Sequence, residues 1–166
     1  MKRLLPLVLA FLVACGYHLV GTQPRGKRLN LAGKNIYIEP FKNRTDEPNI
    51  EYYITDRLAS SLLKTGKISI TDSEHCQFII RGEVVSYTKE VVAVDSSGDV
   101  SVYRLNVSVN VRVYDSSGRE VASYQGISHY EDYPVSEKVE TTKAHEREAM
   151  RKIAEDIAQQ ISSLLL

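Results

Sequence analysis

Two stretches come close to known catalytic or ligand-binding signatures. Gly21-Thr22-Gln23-Pro24-Arg25-Gly26-Lys27-Arg28 keeps the spacing of a phosphate loop, G-x-x-x-x-G-K-[ST], up to its last position. There Arg28 replaces the hydroxyl that would hold magnesium, and no strand precedes the loop. His145-Glu146 opens like H-E-x-x-H, but Ala149 stands where the second histidine should complete a zinc pair. The other histidines, His18, His75 and His129, are scattered, and no G-x-S-x-G nucleophile elbow occurs. Asp95 to Asp99 lacks the ligand spacing of a calcium loop and reads as a turn. No nucleophile, base and metal set is legible, so the chain is expected not to be an enzyme and to carry no metal or bound cofactor.

Cys15 is different. Met1-Lys2-Arg3 is basic, and Leu4 to Val13 is apolar. That run is far short of the roughly 20 residues that span a bilayer, and Pro6 weakens it as a helix. Its length and flanks fit a secretory signal. Leu12-Val13-Ala14-Cys15 resembles a bacterial lipobox, whose cysteine sulfur is diacylated before cleavage makes it residue one. Such chains contribute about 0.8 kcal/mol per buried CH₂, and two or more give stable anchoring. The expected organisation is a signal peptide over residues 1–14, a lipidated N terminus and tether over 15–34, and one domain over 35–166. The covalent lipid on Cys15 is the only group expected to be attached. Gly16, where Asp would favour retention in the inner membrane, points to the periplasmic face of the outer membrane.

The 166 residues hold 21 basic and 21 acidic side chains. Lys2 and Arg3 fall within the signal, so the rest carries 19 basic against 21 acidic residues, a net charge of −2. A near-neutral chain is no general polyanion binder, and nucleic acid is not an expected partner. With Cys15 acylated, Cys76 has no disulfide partner and reads as a small buried hydrophobe.

The elements emerge from pattern. Ile36 to Phe41 is a short strand ending at Pro40. Ile50, Ile54, Leu58 and Leu62 recur every fourth residue, which predicts an amphipathic helix from Pro48 to Thr65, stopped by Gly66. Ile68 to Ile70 begins or flanks a sheet. Gln77 to Val94 is rich in β-branched residues, with Gly82 marking an expected bulge. Leu105, Val107, Val109, Val111 and Val113 alternate with polar residues, the pattern of a strand with one dry face. Val100 and Val102 have the opposite parity, so a bulge or strong twist is expected near Tyr103. Glu120 to Tyr130 is the next strand. Asp95-Ser96-Ser97-Gly98 and Asp115-Ser116-Ser117-Gly118 are hairpin turns. Met150, Ile153, Ala154, Ile157, Ile161 and Leu164 stripe a last helix over Thr141 to Leu165. The expected fold is α+β: a two-layer sandwich in the order β-α-β-β-β-α. Its sheet is mainly antiparallel, of about four strands, with both helices on one face.

Several of these stretches together resemble one family. Cys15-Gly16-Tyr17-His18-Leu19, Pro40-Phe41-Lys42-Asn43-Arg44-Thr45, Glu51 to Leu58 and Phe78-Ile79-Ile80-Arg81-Gly82 resemble, in order, segments of the lipopolysaccharide-assembly lipoproteins of the LptE type. The resemblance implies an outer-membrane lipoprotein that plugs the LptD barrel in a 1:1 complex. It also implies that the chain supports assembly of that barrel and contacts lipopolysaccharide. Phosphates need Lys or Arg donors. The candidate contacts are Lys89, Arg104 and Arg112 on the sheet, and Lys138 and Lys143 near the start of the last helix. The acidic tip Asp95 to Asp99 does not suit phosphate. The alternative is a periplasmic adaptor lipoprotein that regulates a cell-wall synthase or a secretion pore.

The thiol of Cys15 is indispensable to the lipobox chemistry. Cys15→Ala should therefore leave the precursor unprocessed and unlabelled by radioactive palmitate, as read from gel mobility and autoradiography.

Overall fold

The structure is a computed structural model and describes residues 29–166. Cys15, the signal peptide and most of the expected tether lie outside these residues. The elements are β1 (Asn35–Ile38), β2 (Lys42–Asn43), α1 (Ile50–Lys64), β3 (Ser69–Ile70), β4 (Phe78–Val94), β5 (Val100–Asp115), β6 (Glu120–Pro134) and α2 (Val139–Leu165).

The class is the expected α+β, but the sheet has six strands rather than four. Its order is β3-β1-β4-β5-β6, and β2 comes after β1 along the same edge of β4. β4, β5 and β6 form an antiparallel meander. The short strands pair parallel, β1 and β2 with β4, and β3 with β1. Strands of two residues show no period, so hydrophobic patterning cannot find them.

Each hairpin turn is built the same way. Asp95 and Asp115 receive the N–H of Gly98 and Gly118 on their carbonyls, at 3.1 and 2.9 Å. Both carboxylates accept further backbone N–H groups, from Ser97 and Asp99 in one turn and Ser117 and Arg119 in the other. The glycines sit at φ 89° and 80°, a region that L side chains avoid. The Ser117 hydroxyl and the Arg119 backbone hold the Asp115 carboxyl down to about 2.

Both helices cover one face. Ile50, Ile54, Leu58 and Leu62 of α1 are buried, as are Met150, Ile153, Ala154, Ile157 and Ile161 of α2. Leu165 is buried at the end of α2, while Leu164 is only partly covered. The helices also meet through small residues: the Ser162 hydroxyl donates to the Ala158 carbonyl at 2.8 Å and its oxygen lies 2.9 Å from Ser61 Oγ, whose hydroxyl can donate back. α1 starts two residues after the expected Pro48. Its cap, Asn49, takes φ 66°, a left-handed conformation that Asn tolerates better than most residues. Before β1, Leu31 is fully buried and its N–H donates to the Leu165 carbonyl at 2.9 Å. The stretch from Leu29 to Lys34, expected to end a tether, is thus partly packed into the fold. Cys76 is half-buried rather than buried, and its thiol reaches the Ser73 carbonyl at 3.3 Å.

The alternating residues of β5 from Leu105 to Val113 are all fully buried against the helices. Gly82 is not a bulge, because it pairs in register with Val111. Its lack of a side chain makes room for Phe41, whose buried ring occupies the space where a Cβ would stand. The first bulge comes at Val85, between the rungs Val84–Val109 and Ser86–Ser108. The irregularity expected near Tyr103 is present, with its extra residue, Val92, on the partner strand. Gly126 marks a further bulge, in β6, where its N–H donates to Asn110 Oδ1 at 2.9 Å.

Val109→Asp would place an unpaired charge at the centre of the dry layer. It should destabilise the fold by roughly 4 kcal/mol or more in urea unfolding. Gly82→Ala should cost about 2 kcal/mol in the same measurement, because Phe41 is enclosed and must shift.

Candidate functional site

The face of the meander turned away from the helices is polar. Its middle rungs are uncharged: Ser86–Ser108–Ser128 and Thr88–Asn106–Tyr130. Glu90–Arg104–Asp132 lies at one end, and Arg81 and Arg112 lie toward the other. Arg104 forms a two-pronged pair with Asp132, Nε to Oδ1 at 2.7 Å and Nη2 to Oδ2 at 2.8 Å. Its guanidinium also lies 4.3 Å from the centre of the Tyr130 ring. The hydrogen bonds from Arg104 hold the Asp132 carboxyl below the usual carboxylate range. Arg104 is therefore already committed. Arg112 is freer, with Glu120 at 4.0 Å.

Lys89 does not lie on the open face. The Val85 bulge resets the parity of β4, and Lys89 pairs with buried Leu105 on the helix side. Its ammonium meets Glu146 Oε1 of α2 at 2.6 Å and lies 5.5 Å from the Tyr103 ring centre. Tyr87 donates to the same carboxylate at 3.1 Å. Burial, followed by the negative Glu146, pushes the Tyr87 hydroxyl well above the usual tyrosine value. Burial also raises Glu47, and the Glu146 charge adds to that. Burial is the largest single influence on Lys89 and would lower it, yet Glu146 and Tyr133 together outweigh it and hold the ammonium above the ordinary lysine value.

This group forms the wall of a cleft of ≈ 480 Å³ between the N-terminal ends of the two helices. Pro48, Asn49, Tyr53, Met150, Lys143 and Arg147 complete its lining. Lys138 stands apart, at the cap position before α2, where its carbonyl accepts the N–H groups of Thr141 and Thr142. The five candidate bases thus divide: Arg104 and Arg112 on the open face, Lys89 and Lys143 in the cleft, and Lys138 at the helix start. Sequence reasoning missed Tyr87, Glu146 and Arg147, whose convergence depends on the bulge and on the packing of α2.

The three histidines among the described residues each have a partner. His75 meets Asp72 at 2.7 Å, His129 meets Gln160 at 3.1 Å, and His145 meets the Pro134 carbonyl at 2.9 Å. Among the described residues no three His, Cys, Asp or Glu side chains gather to hold a metal, and no helix is long and apolar enough to cross a membrane.

The family model for LptE, lipopolysaccharide-assembly, matches residues 33–165. The chain belongs to the LptE family. Solved structures share the fold at low identity. PelC from Paraburkholderia phytofirmans, a dodecamer, is 17% identical, with 84% of this chain and 92% of that chain covered and a TM-score of 0.55. Lipoprotein B from Nitrosomonas europaea is 24% identical, with 86% and 88% covered and a TM-score of 0.53. A minor lipoprotein from Acinetobacter baumannii is 16% identical, with 81% and 90% covered and a TM-score of 0.50. No curated protein matches the chain. The LptE chain therefore shares its two-layer architecture with lipoproteins of very different sequence.

The Lys89–Glu146 pair tests the geometry of the cleft. Lys89 is 37% exposed at its side chain, so solvent screens the pair and its loss is modest. Glu146→Gln should lower stability by about 1 kcal/mol. Adding Lys89→Met should recover most of that loss in urea unfolding, since no charge is then left without a partner.

Proposed function

We propose that this LptE-family chain is a lipid-anchored protein of the outer membrane that seats inside an LptD-type barrel, one chain per barrel. There it supports the barrel's assembly and the transfer of lipopolysaccharide to the outer leaflet. The family match over residues 33–165 carries this reading. The open sheet face supports it. Ser, Thr, Asn and Tyr side chains on the middle rungs offer hydrogen bonds without the desolvation cost of buried charge. A transmembrane barrel has a polar interior, so such a face is a fitting complement. Tyr130 adds an amphipathic ring of the kind favoured at wet interfaces. On this reading the chain makes and breaks no bonds; it acts by filling and bracing its partner. Lys89, Lys143, Lys138, Arg104 and Arg112 remain the candidate lipopolysaccharide contacts. Lys143 and Arg112 are more available than Arg104 and Lys89, which Asp132 and Glu146 occupy.

The shared fold with a dodecamer favours one second reading, an adaptor that assembles as a ring at a pore. A photo-reactive amino acid at Asn106 or Ser108, in living cells, separates the two. The first reading expects capture of a large outer-membrane β-barrel and a complex of one chain each by native mass measurement. Capture of a second copy of this chain, with a mass of several copies, would favour the ring. Capture of a peptidoglycan synthase would favour the adaptor of cell-wall synthesis.

A further inference from the structure

β6 is the last strand of the sheet, and among the described residues no strand pairs with its second edge. Along its 15 residues, alternate N–H and C=O groups therefore face away from β5. An open edge of this length is a template for pairing, and folded chains blunt such edges with charge, proline or bulges. Here the Gly126 bulge interrupts the edge once, and Pro134 only ends it. From Ile127 to Tyr133 the edge carries neither Pro nor Lys.

The chain enters the described fold at this margin. The Leu29 backbone is a hydrogen-bond partner of the hydroxyl of Tyr124, a β6 residue. From there the chain passes the end of α2, where the Leu31 N–H meets the Leu165 carbonyl. The Gly33 N–H then donates to the Lys67 carbonyl at 2.7 Å, on the way to β1. The residues before Leu29 therefore arrive on the β6 side. β6 runs away from this end, toward the start of α2. A segment laid along it and ending at Leu29 is antiparallel to it, and an antiparallel neighbour needs no crossover.

Charge favours the same neighbour. Arg25-Gly26-Lys27-Arg28 carries three positive charges, and no acidic residue stands between Cys15 and Ile38. Beside β6, Asp156 of α2 meets the His129 ring at 3.9 Å and pairs with no Lys or Arg among the described residues. Asp156 precedes Leu165 by nine residues, about 13.5 Å along a helix. Arg25 precedes Leu29 by four residues, about 13 Å along a strand. We propose that residues 25–28 add to the free edge of β6 as a seventh strand, antiparallel, with Arg25 opposite His129 and its guanidinium on Asp156. Alternation then places Arg25 and Lys27 on the α2 side and Arg28 on the open side. Pro24, which has no N–H to give, ends the ladder. The added strand shields the edge from pairing with a second molecule. It rests on the edge, the entry point and the charges, and does not depend on the barrel reading.

The test uses the full chain in a non-ionic detergent, with amide hydrogen exchange along β6 followed by NMR. The β6 amides that face away from β5 are expected to be protected, at a level independent of protein concentration. The double variant Arg25→Glu/Lys27→Glu should speed their exchange roughly tenfold, while the amides that bond β5 stay as they were and report an intact fold. Asp156→Arg alone should have the same effect from the other side of the contact. Combining Asp156→Arg with the double variant should restore slow exchange, because the charges are then swapped across one pair. Lys67→Glu, on the β1 side, should change nothing. The proposal falls if the outward amides exchange as fast in the unchanged chain as in the double variant, or if the charge swap brings no recovery. It also falls if protection rises with protein concentration, since a second copy then pairs with the edge. Failure here would leave the family membership and the barrel complex standing, because those are read by crosslinking and mass.

Discussion

The structure depends on one dry layer. Five alternating residues of β5, from Leu105 to Val113, are fully buried, and each needs apolar cover from above. α1 and α2 supply it with stripes one turn apart. At about 25 cal/mol per Å² of apolar surface removed from water, this layer is the main source of cohesion. It also fixes which way every other side chain of the meander points. The polar residues between the valines have no choice but the opposite face. The bare hydrophilic surface and the greasy interior are thus two consequences of one alternation.

That alternation makes much of the fold legible in the sequence. The β5 pattern, the i+4 stripes, Gly66 and the twin DSSG turns each correspond to an observed element. The illegible parts have physical causes. β2 and β3 are too short to carry a period, and their existence depends on pairing with distant strands. A bulge inserts one residue and inverts the parity of the rest of its strand. The side of the sheet on which Lys89 lies therefore depends on Val85, which looks like any other valine. Gly82 stands out in the sequence for its lack of a side chain, yet the use of that space is a close approach by Phe41.

The candidate site is legible to a lesser degree. Arg104 and Arg112 belong to the clean part of the pattern and lie on the open face as the period requires. Their partners Asp132 and Arg81 come from neighbouring strands, and no spacing rule connects them. The tyrosine and glutamate cluster around Lys89 needs three elements to converge. Family resemblance crosses this gap for function because ordered short segments survive where pairwise contacts cannot be read.

The bond between the Leu31 N–H and the Leu165 carbonyl joins the two extremities of the described chain. Any tension applied through the residues before Leu29 enters the molecule there, at the last turn of α2, beside Tyr124, whose hydroxyl also grips the Leu164 carbonyl at 3.2 Å. A leash pulled at this corner bears on the end of a long helix and on a full-length strand, and through the pairing of Tyr124 with Val111 it reaches the middle of the sheet.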